Sequence, residues 1–276
     1  MLLVDKPRDH TSHDVVARLR RKLGMRRIGH AGTLDPMATG LLLVGVGRAT
    51  RLLRFLSDLP KTYEGTARLG VETETLDADG AVTNERPVTA GIDDVRAAMA
   101  ALRGDSMQDP PAYSAVKVGG RKLYEAARAG ERLEAEPRPI HVTAFDLLAR
   151  RGDDVDFRVT CSSGTYVRVL LAEVGDSLGC GAHLTTLRRI AIGPFGVEAA
   201  AAPDDPGAPL PIERAVAHLP RIELDEAEAI AASYGRILGP AAIDGPYAVV
   251  APGGDLIGVY RDEGPKARPL VILAPA

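Results

Sequence analysis

Residues 155–161 alternate without a break: Val155, Phe157, Val159 and Cys161 are apolar, and Asp156, Arg158 and Thr160 between them are polar. A period of two marks a strand buried on one face, and it stops at the turn Ser162-Ser163-Gly164-Thr165. The period then changes. Val167, Leu170, Leu171, Val174 and Leu178 fall at helical spacing, with Thr165 expected as the N-cap and Gly179 as the stop. Strands and helices mix along the chain without a regular strand–helix–strand rhythm. The expected fold is therefore α+β, with a mixed, largely antiparallel sheet flanked by helices, and not a doubly wound parallel sheet.

Thr11 and Asp14 form a capping-box pattern before Val15, Leu19 and Leu23, and Gly24 follows, so residues 11–24 are expected to be a helix. A glycine-punctuated loop over 29–40 leads into Leu41-Leu42-Leu43-Val44, a buried strand. Residues 48–56 and 93–102 read as helices, and 62–69 as a strand turning back as a hairpin near Asp77-Ala78-Asp79-Gly80. The Ala/Pro/Asp-rich stretch 199–211 reads as a linker. Beyond it, a helix over 224–233 and strands at 247–250 and 256–260 suggest a small β-rich unit. The expected division is 1–200 and 212–276.

At 276 residues the chain is long enough for a full core, and its net charge is only −3. The charge is unevenly spread. Residues 1–60 carry 11 Lys/Arg against 5 Asp/Glu, whereas residues 201–276 carry 6 against 11. A basic first fifth suggests a polyanion-facing surface, with a solvated basic face as the bland alternative. Cys161 and Cys180 form no CxxC pattern and are expected to be buried thiols, not a disulfide framework. No apolar run reaches the length of a membrane span, and the expected compartment is the cytoplasm. His10 and His13 lack a third ligand, so no metal site is expected.

The densest cluster of chemistry is Gly29-His30-Ala31-Gly32-Thr33-Leu34-Asp35-Pro36-Met37-Ala38-Thr39-Gly40, which presents Asp35 from an irregular loop. An Asp-Pro pair taken alone is usually a turn. This segment resembles the central motif of the bacterial tRNA pseudouridine-55 synthases, and other segments agree in order. They are Asp5-Lys6-Pro7 with Thr11-Ser12-His13-Asp14, Lys61-Thr62-Tyr63, Pro110 to Ala115, Gly164 to Arg168, Gly179 to Leu184 and Leu187-Arg188-Arg189. The likeness covers residues 2 to about 195. Asp9 stands where that family usually has glycine, which puts the local turn in question. More weakly, Val249-Val250 and Gly253 to Gly258 resemble the family's small RNA-binding, PUA-like C-terminal domain.

The resemblance implies an isomerase that turns uridine 55 in the tRNA T-loop into pseudouridine, acting on the T-arm as a monomer without a cofactor. Such a reaction breaks an N-glycosidic bond, turns the uracil and forms a C–C bond at the same sugar carbon. A carboxylate serves it as nucleophile or stabiliser at the anomeric carbon, by analogy with glycosidases, and Asp35 is the candidate. Arg168 is implied to hold that carboxylate in a two-pronged pair. The resemblance also implies Tyr63 against the uracil, His30 in the space left by the flipped base, and Tyr166 and Leu187 as pocket walls. Lys6 borders the site, with a loop-building role equally open. The run Arg18, Arg20, Arg21, Lys22, Arg26 and Arg27 is expected to meet RNA phosphates, Arg18, Arg21, Lys22, Arg26 and Arg27 foremost.

Two other readings compete. Gly45-Val46-Gly47 after an apolar strand is almost a dinucleotide fingerprint, but its third glycine is missing. A non-catalytic RNA-binding or tRNA-folding protein on the same scaffold would keep every binding feature, and only Asp35 with Arg168 separates it from the enzyme.

Overall fold

The computed structural model describes residues 1–131 and 133–273. The chain starts with β1 (Leu2–Lys6) and α1 (Ser12–Leu23). Thr11 and Asp14 exchange capping hydrogen bonds, and Gly24 closes the helix at φ 61°. Val15, Val16 and Leu19 are buried against Leu2, Val4, Leu42 and Val44, while Leu23, expected on the same face, is exposed.

Next come β2 (Ile28–Ala31) and β3 (Thr39–Val46). The irregular loop therefore starts later than the glycines suggest, because Gly29 and His30 pair with Gly45 and Val44. A 3-10 turn, Gly47–Leu52, and α2 (Leu53–Ser57) follow. Both β1 and β2 run antiparallel to β3, so Gly45-Val46-Gly47 does not sit in a βαβ nucleotide-binding turn, and the dinucleotide-binding reading is withdrawn.

Residues 61–69 form β4 (Lys61–Leu69), but not as half of a hairpin. The hairpin across Asp77–Gly80 is made by the next two strands, β5 (Val71–Thr73) and β6 (Val82–Glu85). After α3 (Ile92–Ala101) and β7 (Gly104–Gln108), a small ribbon of β8 (Lys117–Val118) and β9 (Arg121–Lys122) leads into α4 (Leu123–Arg128). Then come β10 (Arg138–Arg151), β11 (Asp154–Cys161), α5 (Val167–Ser177), β12 (Ala182–Ile192) and β13 (Phe195–Gly196).

The large sheet runs β1-β3-β12-β4-β11-β10-β7, with β2 on β3 and β13 on β12. Only the β3–β12 contact is parallel among these described pairs. The mixed, mostly antiparallel sheet is the one expected. Helices α3 and α5 cover the β4, β11 and β10 region through Val95, Met99, Phe157, Val159, Leu170 and Val174. Both cysteines are buried, and burial pushes the Cys161 thiol up to about 11.

Where β3 meets β12 the backbones nearly touch. Gly40 has φ +104°, and a Cβ there would lie 2.3 Å from the Arg189 carbonyl oxygen and 2.8 Å from its nitrogen. Gly40→Ala is therefore expected to lower stability by ~3 kcal/mol through steric clash and a forbidden dihedral. A denaturant midpoint unchanged from the parent would show that the two strands can separate at no cost.

The start of α5 differs from expectation. Its N-cap is Tyr166, with no side-chain cap, and not Thr165. Gln108 clamps this turn instead: its Oε1 accepts from Tyr166 N at 2.7 Å and its Nε2 donates to Tyr166 O at 3.3 Å.

Residues 199–211 are no free linker, because Ala201 N donates to Leu3 O, Asp5 N to Ala201 O, and Leu210 N to Met1 O. The stretch is laid along β1. After a 3-10 turn, Ile212–Val216, come β14 (Arg221–Glu223), α6 (Glu226–Ser233), β15 (Pro246–Val250), β16 (Leu256–Glu263) and β17 (Lys266–Ile272). They form a second sheet, β14-β15-β16-β17. Leu3 and Leu41 share an apolar cluster with Val259 and Val271, so the two sheets are packed together.

Candidate active site

Asp35 lies in the loop between β2 and β3, and that loop is pinned from several sides. Ser12 Oγ accepts from Leu34 N at 3.0 Å, Asp9 N donates to Pro36 O at 2.9 Å, and Ala38 N closes a turn on Asp35 O. Asp9 holds the turn at φ 61°; this left-handed conformation is one that Asp reaches more readily than most side chains. The doubt about that turn is thereby removed. Lys6 is fully buried, and its ammonium donates to the carbonyls of Pro7, His10 and Pro36. Burial lowers its pKa to about 8.

The Asp35 side chain is 41% exposed at the end of this loop, facing the guanidinium of Arg168 across 3.5 Å. Arg168 comes from the first turn of α5 and is 5% exposed. It does not fork onto Asp35 as the resemblance implied. One nitrogen serves Asp35 and donates to Tyr113 O at 2.7 Å; the other donates to Thr75 O at 3.2 Å and Asp77 Oδ2 at 3.4 Å.

Two carboxylates therefore share one buried cation. Asp77 is itself buried, and its carboxylate also accepts from Thr75 Oγ1 and Asp79 N. Crowding by protein pushes the Asp35 carboxyl above the usual aspartate range; Arg168 opposes this, Asp77 adds to it and Lys6 opposes it. Sequence reasoning took Asp77 for an ordinary turn residue. The Asp-x-Asp-Gly turn gave it position, but nothing local announced that the turn lies over α5.

Around this pair, Leu34, Met37, Tyr63 and Leu187 belong to one apolar cluster. Tyr63, on β4, is opposite Arg189 of β12 and Val159 of β11. Burial raises its phenol pKa, and the charge of Arg189 opposes the rise. Tyr166 lies against Arg168, whose Cζ is 5.8 Å from the ring centre. His30 stands apart, on β2, edge-on to His13 at 6.0 Å. Its Nδ1 is buried with no hydrogen-bond partner among the described residues, and burial lowers its pKa, favouring neutral imidazole.

Two grooves of about 510 and 470 Å3 meet at Thr39 and Arg188. The first is walled by Met37, Phe157 and Leu187, the second by His10, Arg18 and Asp204. Arg21, Lys22, Arg26 and Arg27 are exposed, whereas Arg18 is 3.4 Å from Asp204. Arg20 is diverted from that run, donating to Ile28 O at 2.8 Å.

A loop-borne aspartate 3.5 Å from a buried arginine, beside an apolar cluster whose Met37 and Leu187 also wall a surface groove, is the equipment of an enzyme acting on nucleotides in RNA. Comparison narrows the class to the pseudouridylate synthases. Residues 20–167 match the TruB family pseudouridylate synthase N-terminal domain, and residues 219–274 match the tRNA pseudouridine synthase II C-terminal domain. The chain is 47% identical over 286 residues to tRNA pseudouridine synthase B of Mycobacterium sp. (strain KMS), covering 100% of this chain and 96% of that protein. The same comparison with the Mycobacterium tuberculosis (strain ATCC 25618 / H37Rv) protein gives 46%, again covering 100% and 96%.

Among solved structures, the archaeal box H/ACA sRNP Nop10–Cbf5 complex superposes with a TM-score of 0.73 at 26% identity, covering 99% of this chain and 84% of that one. A Cbf5–Nop10–Gar1 complex gives 0.74 at 26%, covering 98% and 83%. The chain belongs to the TruB family and converts uridine to pseudouridine in tRNA. The reading as a purely binding protein is thereby set aside.

Proposed function

We propose that the uridine converted is that at position 55 in the T-loop of tRNA, and that Asp35 is the carboxylate that acts on it. One observation carries the assignment: the 3.5 Å approach of the Arg168 guanidinium to Asp35 beside the apolar cluster of Leu34, Met37, Tyr63 and Leu187. A buried cation with spare donor capacity favours the ionised acid exactly where protein crowding opposes it.

In this reading a stacked uridine is drawn out of its loop, at an unstacking cost of a few kcal/mol. Tyr63, Leu187 and Tyr166 receive it, and neutral His30 fills the space it leaves. The Asp35 carboxylate acts at C1′ as the C1′–N1 bond breaks. The uracil turns, C5 bonds to C1′, C5 loses its proton and N1 gains one, so the product is an isomer of the substrate. Lys6 acts indirectly, by holding the loop.

Arg18, Arg21, Lys22, Arg26 and Arg27 lie along the path of the T-arm phosphates. Residues 1–200 form the catalytic unit and 212–276 a PUA-like unit beside it, whose acidity favours recognition of RNA shape over phosphate binding. The chain works as a monomer in the cytoplasm; among the described residues no helix is long and apolar enough to cross a membrane.

The test is incubation with unmodified tRNA transcripts, with and without the T-loop uridine, followed by mapping of the product. Pseudouridine confined to the T-loop, and lost when that uridine is replaced, is expected. Product elsewhere in the replaced transcript would refute the site preference while leaving the activity intact.

A further inference from the structure

Arg189 is the largest fully buried side chain in the described structure, 1% exposed, and it has no carboxylate within ion-pairing distance among the described residues. Burying a guanidinium without a counter-charge is expensive, and hydrogen bonds to its donors offset part of the cost. Here each of its three nitrogens donates to a carbonyl of a single stretch of chain. Nε donates to Leu41 O at 2.7 Å, Nη2 to Gly32 O at 3.2 Å and Nη1 to Thr33 O at 3.4 Å. That stretch carries Asp35.

The other end of the same residue belongs to the opposite wall. Arg189 is the β12 partner of Tyr63 on β4, and its backbone meets Gly40 across the parallel β3–β12 contact. One buried side chain thus links β12, the strand paired with Tyr63's, to the loop that carries Asp35. Its charge also acts on the Tyr63 phenol. Lys61, whose side chain also passes beside Gly32, spends its ammonium on Ser57 O and Leu59 O and so duplicates none of these hydrogen bonds.

We propose that Arg189 is a positioning residue for the isomerisation: its guanidinium sets the separation and orientation of Asp35 relative to Tyr63. The inference rests on the assignment of those two residues to the reaction. A planar fork reaches three carbonyls at once, whereas a lysine ammonium at the same place reaches fewer and from a different point. Displacing reacting groups by about an ångström costs on the order of 100-fold in rate with little effect on binding of a large substrate.

The experiment uses the full chain and an unmodified tRNA transcript, with enzyme in excess, below the melting temperature of each variant. Arg189→Lys is expected to slow the single-turnover rate by ~10- to 100-fold while tRNA affinity stays within about threefold of the parent. Combined with Tyr63→Phe, it should add little beyond the loss from Tyr63→Phe alone, since both act on one geometry. Multiplying losses, a loss of affinity in step with rate, or a rate within about threefold of the parent would each overturn the proposal. Parental rates for Asp35→Asn and Tyr63→Phe would instead remove the underlying assignment.

Discussion

Arg168→Met is expected to stop turnover and to loosen the fold together. The guanidinium is buried and joins three separate segments: the catalytic loop at Asp35, the hairpin turn at Thr75 and Asp77, and the 110–116 loop at Tyr113. Without it, Asp77 keeps its hydroxyl and amide donors but loses its counter-charge while still buried. Breaking a buried pair from one side costs ~3–5 kcal/mol. The rate should fall by ~1,000-fold or more, because a preorganised charge at the reacting carboxylate is lost. Arg168→Lys should recover much of the stability and little of the rate, since one ammonium cannot serve Asp35, Asp77 and two carbonyls from one point. Urea midpoints and single-turnover rates separate the two effects; a lysine variant with full activity would show that charge alone suffices.

Asp35→Asn is expected to move stability and activity in opposite directions. The folded chain raises the Asp35 pKa above its usual 3.8. The native state therefore binds more protons than the unfolded chain as pH climbs from that value through the raised one, and stability falls across that window. At neutral pH the ionised carboxylate is a net cost, moderated by its partial exposure to solvent. Asparagine removes the cost, so the variant should melt higher than the parent at neutral pH, with the difference vanishing below the ordinary aspartate range. Activity of the parent should rise through the same window as the proton leaves. Such opposition is common where function needs a charge that folding disfavours.

The strand over 155–161 and the helix over 11–24 were legible because their periods are unbroken and their ends are punctuated. β10 was not. Ile140 and Val142 face the core in one phase and Phe145 and Leu147 in the other, because the register slips between Val142 and Ala144. A bulge of this kind erases the alternation that identifies a strand. The parallel contact of β12 with β3 was equally hidden, since it joins residues that are distant in sequence, and with it went the role of Arg189.

Within the site, Asp35 and Arg168 were singled out through several motifs in the right order, not through local chemistry, which for the Asp-Pro pair favoured a turn. Asp77 was missed because its function depends on which helix the hairpin covers. Lys6 illustrates the converse: its motif was seen, and only the three carbonyls around its ammonium show how it is used.

The most direct test of the central assignment is a single-turnover reaction on tRNA transcript tritiated at uridine C5, with Asp35→Asn in excess and saturating. Tritium release reports loss of the C5 proton, the last step of the isomerisation. The variant should bind the transcript as the parent does and release no tritium. Release at a rate near the parent's would mean that some other group acts at the sugar, and the assignment of Asp35 would fall.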